Sequence, residues 1–241
     1  MLHPVVTILL GPALLWQGRR VRKQTPRLPE APGKREGVSG QGPSLRLLIL
    51  GDSAAAGVGV ARQSIALSGQ LTQLLADTYT VAWKLHAKSG LTVHQVYQSL
   101  TELPKEAYDV VVVSAGVNDV TANTKNAQWL RAISQLIESL QQQYQVRLIL
   151  FTAIPPMQAF PALPQPLRWY LGGRARLLNR LLLSATDQYK GVELLQVDFP
   201  LTRDYMAEDG FHPSARSCQL WAETAASRIE AFFNASDNYK Y

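Results

Sequence analysis

A single cysteine, four histidines and no apolar run of membrane-spanning length set the first limits on this 241-residue chain. Cys218 has no partner in the chain, so no intrachain disulfide forms and a disulfide-stapled scaffold is excluded. His86 and His94 stand in no metal-ligand spacing with a cysteine or a carboxylate pattern, so no metal is expected. Gly57-Val58-Gly59 lacks the third glycine of a dinucleotide fingerprint, because position 62 is Arg. No Gly-x-Ser-x-Gly elbow surrounds Ser53, because residue 55 is Ala. Internal repeats and low-complexity tracts are also missing.

The net charge of +6 is unevenly spread. Residues 1–42 hold seven Lys or Arg against Glu30 and Glu36, which is +5 of the total. The remainder is nearly neutral and offers no basic face for nucleic acid. Val5 to Trp16 is apolar but interrupted by Gly11-Pro12, and falls well short of the roughly 20 residues of a spanning helix. Its basic cluster, Arg19-Arg20-Val21-Arg22-Lys23, follows the apolar run rather than preceding it, and no Ala-x-Ala cleavage site comes after. This reads as an uncleaved membrane-associated segment, tilted or interfacial, with Trp16 and the arginines at the headgroups. Its basic flank places the protein on the cytoplasmic face; a periplasmic or secreted protein with an atypical export signal is the alternative, as is an apolar tail packed on the domain. Thr25 to Gly42, rich in Pro and Gly, reads as linker. The expected organisation is therefore residues 1–42 as an N-terminal segment, 43–235 as one domain and 236–241 as a polar tail.

The chain is organised around Leu45 to Gly59. An apolar run that breaks into Gly51-Asp52-Ser53 predicts a buried parallel strand with a serine at its C-terminal end. The helix that follows would aim its free N–H groups and positive dipole end at an anion near Ser53. Further strands are predicted at 81–86, 109–114, 146–154 and 192–197. Helices are predicted at 62–77, 92–103 (with Thr92 as N-cap), 126–144, 174–190 and 214–233. Pro155 to Gly173 reads as an irregular insertion whose aromatics could wall an acyl or aryl pocket. Strands alternating with helices predict an α/β fold, a three-layer α/β/α sandwich with a five-stranded parallel sheet, flavodoxin-like in kind.

The polar candidates all fall at C-terminal strand ends, which converge on one rim of such a sheet. Ser53 follows the first strand, Gly90 the second, Asn118 the third, and Asp209 and His212 the last. A serine hydroxyl needs a base to become a nucleophile. Among the four histidines only His212 has a carboxylate three residues earlier, in Asp209-Gly210-Phe211-His212-Pro213. Asp209 would hold its tautomer, with Asp198 as the alternative carboxylate. The Ser53 and Gly90 N–H groups and the Asn118 amide are candidate oxyanion donors. Each piece has a plainer reading: a capped turn at Ser53, a turn at Asn118 and Asp119, a surface histidine at 212. Asp52 and Asp119 read as structural, and Cys218 as core.

Together, Gly51-Asp52-Ser53, Gly90, Gly116-Val117-Asn118-Asp119 and Asp209-Gly210-Phe211-His212-Pro213 resemble, in order, the four blocks of the SGNH hydrolases, also called the GDSL esterase/lipase family. The resemblance covers about residues 45 to 233. It implies Ser53 as nucleophile, His212 as base, Asp209 as its partner, and an oxyanion hole of Ser53, Gly90 and Asn118. It implies hydrolysis of esters or thioesters without a cofactor. Where the first block commonly continues with Leu-Thr or Ile-Thr, this chain has Ala54-Ala55. The expected function is a serine esterase acting on small-molecule or lipid esters such as lysophospholipids. Alternatives are a carbohydrate O-deacetylase or acyltransferase, or a non-catalytic membrane-associated binding protein.

Overall fold

Leu47–Leu50 and Val110–Val113 are buried on both faces, which requires a sheet covered by helices on each side. The computed structural model describes residues 4–200 and 202–237. Its elements run α1 (Pro4–Gln24), β1 (Glu36–Ser39), β2 (Ser44–Gly51), α2 (Leu67–Leu75), β3 (Thr80–Ala87), α3 (Val93–Ser99), β4 (Val110–Ser114), α4 (Val117–Thr121), α5 (Asn126–Gln143), β5 (Leu148–Thr152), α6 (Leu167–Thr186), β6 (Val192–Leu195) and α7 (Ala215–Asp237). His3 and residues 238–241 of the expected tail lie outside the described residues.

The sheet order is β1-β3-β2-β4-β5-β6. The five strands β2 to β6 are parallel, as expected, and β1 adds a sixth, antiparallel to β3. Side chains alternate between two layers. Leu48, Leu50, Val111 and Val113 pack with α3, α5 and α6, while Leu47, Ile49, Val110 and Val112 pack with α2 and α7. Cys218 of α7 is fully buried, and burial pushes its thiol up to about 12. The strand order reverses at β2, the place where open α/β sheets form their ligand crevice.

Three expectations are corrected. Thr25 to Gly42 is not all linker, because Glu36–Ser39 pairs with Val81–Lys84 in the sheet. The Pro155 to Gly173 insertion ends early. Pro166 caps α6 from Leu167, and Gly172 lies inside the helix where a Cβ would meet the Gln158 side chain at 2.5 Å. That glycine is a close-packing residue rather than a breaker. Finally, the helix predicted at 62–77 is shorter and starts further from Ser53. Residues 53–59 form turns, with Gly57 and Gly59 in the left-handed region, and α2 begins only at Leu67.

Among the described residues no helix is long and apolar enough to cross a membrane. Helix α1 packs on the domain: Leu14 joins the core layer beside α6. The Gln17 amide clasps the start of α6, donating from Nε2 to Gln165 O at 2.6 Å and accepting the Leu167 N–H at 3.0 Å.

Candidate active site

Ser53 is delivered by a tight strand end. A Cβ on Gly51 would sit 2.1 Å from Ser114 O, so β2 and β4 approach as only glycine allows. Asp52 N–H then bonds Ser114 O at 2.9 Å, and Ser53 leaves the sheet into the turns. On the opposite side of the rim, Asp209-Gly210-Phe211-His212 folds back on itself. Asp209 Oδ1 accepts the N–H groups of Phe211 and His212 at 2.9 and 3.0 Å. Its Oδ2 lies 2.6 Å from His212 Nδ1, and His212 Nε2 lies 2.8 Å from Ser53 Oγ. Hydroxyl, imidazole and carboxylate thus form one hydrogen-bonded chain.

The Asp209 side chain is almost fully buried. Burial opposes its charge, but the His212 ring and the two backbone donors outweigh burial and hold it below its ordinary value. Asp198, the alternative carboxylate, is exposed and makes no bond to His212. His86 and His94 lie outside the cleft that contains Ser53.

Ser53, Gly90 and Asn118 line that one cleft. The Ser53 and Gly90 N–H groups donate to no protein acceptor among the described residues, so both are open to an oxyanion. Asn118 differs. Its Nδ2 donates to Asp52 Oδ2 at 3.1 Å and to Leu91 O at 3.0 Å, which engages both hydrogens. In this arrangement Asn118 has no free amide hydrogen to offer an oxyanion. Asp52 is buried, and burial pushes its carboxyl up to about 7 against the pull of the Ala54 N–H and the nearby His212. Asp119 is structural, as expected. It accepts the Val93 N–H at 2.9 Å and the Thr124 hydroxyl at 3.1 Å, tying α4 to the start of α3. Thr92 caps α3 in a capping box with Gln95.

Two contributions escape the sequence reading. Glu30, in the segment read as linker, holds the Ser89-Gly90 turn by bonds to Ser89. Helix α1 supplies a wall of the cleft through Gly11, Leu14, Leu15, Gly18, Arg19, Val21 and Arg22. Their three- and four-residue spacing is a helical face. That spacing is the signal that could have revealed α1; nothing in the sequence marks Glu30. Met157, Phe160, Leu163 and Tyr170 line the same cleft, so two of the aromatics between 155 and 173 reach it, Phe160 and Tyr170.

Comparison with solved structures supplies the class. The carbohydrate esterase of family 3 from Clostridium thermocellum is 16% identical with a TM-score of 0.61, covering 80% of this chain and 98% of that one. The psychrotrophic esterase EstA from Pseudoalteromonas sp. is 17% identical with a TM-score of 0.61, covering 78% and 98%. TesA is 22% identical with a TM-score of 0.59, covering 74% and 94%. These share the three-layer fold with its mostly parallel sheet, that of an SGNH-type ester hydrolase. The GDSL-like Lipase/Acylhydrolase family matches residues 49–220, and the chain belongs to that family. No curated protein sequence matches it.

Proposed function

We propose that the protein is a serine esterase that hydrolyses carboxylic esters or thioesters through an acyl-enzyme on Ser53. The hydrogen-bonded chain from Ser53 Oγ through His212 to Asp209 carries this reading. Ser53 Oγ attacks the acyl carbon while His212 Nε2 takes the hydroxyl proton. Asp209 stabilises the imidazolium from Nδ1. The Ser53 and Gly90 N–H groups receive the developing oxyanion, joined by Asn118 once it releases a resting partner. Collapse breaks the acyl–oxygen or acyl–sulfur bond, and His212 returns the proton to the leaving alcohol or thiol. Water then attacks the acyl-serine with His212 again as base. The acid departs and the Ser53 hydroxyl is restored.

The cleft's apolar walls favour lipid-derived esters. We also propose a peripheral membrane contact through α1. Leu9, Leu15 and Trp16 are 73%, 65% and 60% exposed, beside Arg19, Arg20, Arg22 and Lys23. Co-sedimentation with vesicles containing phosphatidylglycerol checks this. Binding should weaken as salt rises, and equal recovery with neutral vesicles would refute it.

The deciding experiment for the enzyme follows p-nitrophenyl ester hydrolysis and fluorophosphonate labelling in the full chain and in Ser53→Ala. EstA has a structure inhibited by monoethylphosphonate. Wild type should turn over ester and take the label, and Ser53→Ala should do neither. Undiminished turnover in Ser53→Ala rejects the reading.

A further inference from the structure

The cleft over Ser53 encloses about 960 Å³, at the upper end of the roughly 300–1,000 Å³ of small-molecule sites. This is far more room than an acetyl group needs. Part of its boundary lies outside the family's matched residues, which begin at 49. Helix α1 forms that part, seated by Leu14 in the core and by the two Gln17 bonds to the start of α6.

The face that α1 turns to the cleft includes Gly11 and Gly18. Glycine in a helix interior is unfavourable by about 1 kcal/mol relative to alanine. Close packing usually accounts for it, as at Gly172, but nothing presses on these two: a Cβ built at either position meets no atom within 4 Å. Neither has the left-handed backbone that would require glycine. What the two glycines do is leave open space on the cleft side of α1, in the same cleft that Met157, Phe160 and Leu163 line. That space is continuous with Ser53.

We propose that this gap is an acyl-chain channel, that α1 is its outer wall, and that Gly11 and Gly18 set its width. The proposal rests on the esterase reading and narrows the substrate class to esters of medium to long acyl chains. Each methylene drawn from water into such a channel is worth about fourfold in affinity. A leucine at position 18 fills the room of several methylenes and is a better helix former than glycine, so the fold is kept while the channel is narrowed.

The test reads binding, so that it does not depend on turnover. Dansyl-undecanoic acid, whose fluorescence rises in apolar surroundings, is titrated into the full-length wild type and into Gly11→Leu and Gly18→Leu. Thermal melting establishes that each variant is folded. Saturable binding to wild type, weakened about tenfold or more in at least one folded variant, is the expected result. Absence of saturable binding to wild type, or equal binding to all three proteins, overturns the channel. Hydrolysis of p-nitrophenyl acetate and p-nitrophenyl decanoate by the same wild-type preparation reports separately on the esterase reading. Hydrolysis without fatty-acid binding rejects the channel alone. Binding without hydrolysis of either p-nitrophenyl acetate or p-nitrophenyl decanoate retains the channel and rejects the esterase.

Discussion

Glu30 holds Ser89 by two bonds from one oxygen: Oε1 accepts the Ser89 backbone N–H at 2.7 Å and its hydroxyl at 2.8 Å. Its other oxygen takes Arg35 at 2.7 Å, and Arg35 in turn donates to Ala87 O at 2.9 Å. The turn that presents the Gly90 N–H is thereby tied at both ends to a segment preceding the sheet's first parallel strand. Burial opposes the Glu30 charge, but these donors outweigh it and keep the carboxylate below its ordinary value. Hydrogen bonds to a charged group contribute about 1.5–3 kcal/mol. Glu30→Ala should lower kcat about tenfold with little change in KM, because the loss falls on oxyanion geometry rather than substrate binding. Glu30→Gln keeps an acceptor for Ser89 and should recover most of the rate. Steady-state kinetics on one ester distinguish this from general destabilisation, which lowers active enzyme in both variants alike.

The carboxylate that serves His212 can be identified by substitution. Asp209→Asn should reduce kcat by on the order of 10⁴-fold, because the amide oxygen stays on the two backbone N–H groups and its NH2 faces Nδ1, which holds the imidazole in the wrong tautomer. Asp198→Asn, at an exposed position, should leave kcat within about twofold of wild type. The reverse ranking would transfer the role to Asp198.

Asp52 gives the stability a pH dependence of a particular sign. Its carboxyl titrates near 3.8 in an unfolded chain and is pushed up to about 7 in the fold by burial. Below pH 4 both states are protonated and the stabilisation is complete. Between about pH 4 and 7 the unfolded state alone ionises, so this group's contribution falls as pH rises, and it is flat beyond. Asp209 acts in the opposite sense, because its value is lowered in the fold. Its contribution is present above about pH 4 and is lost only on further acidification. Urea unfolding of wild type and Asp52→Asn from pH 4 to 8 should show the wild-type decline flattened in the variant. Parallel curves would rule out this assignment.

Gly51→Ala should destabilise the protein by about 1–3 kcal/mol, since the new methyl meets Ser114 O at 2.1 Å and the backbone must move. Because Asp52 and Ser53 follow directly, activity should fall more than the folded fraction does. Comparing the urea midpoint with activity per folded molecule measures both effects.

How far the sequence discloses this molecule varies by element. Strands β2 and β4 are legible because long apolar runs ending at small residues have few other uses. Ser53, Asp209 and His212 could be brought together on the same logic, since a parallel sheet gathers its C-terminal ends. Strand β1 is not legible: Glu-Gly-Val-Ser has no alternation, and its strand character comes from pairing with Val81–Lys84 across the chain. The start of α6 is masked by Gly172, whose local preference is overruled by packing on Gln158. The turns after Ser53 are a similar case in reverse. The helix expected from Arg62 begins only at Leu67, and Gly57 and Gly59 in left-handed conformations shape the turns before it. The double engagement of Asn118 with Asp52 and Leu91 depends on hydrogen-bond geometry between distant segments, which no local pattern encodes.

The solitary thiol in α7 is a built-in reporter of opening. Cys218 is sealed from solvent between α7 and the layer that includes α2, and burial suppresses its thiolate, the form that reacts. A thiol reagent can therefore modify the chain only in the moments when α7 has come away. With no second cysteine to confuse the signal, the modification rate of unlabelled, untagged protein follows the population of that opened state. Every substitution discussed above can be compared on that one scale, including those that abolish turnover.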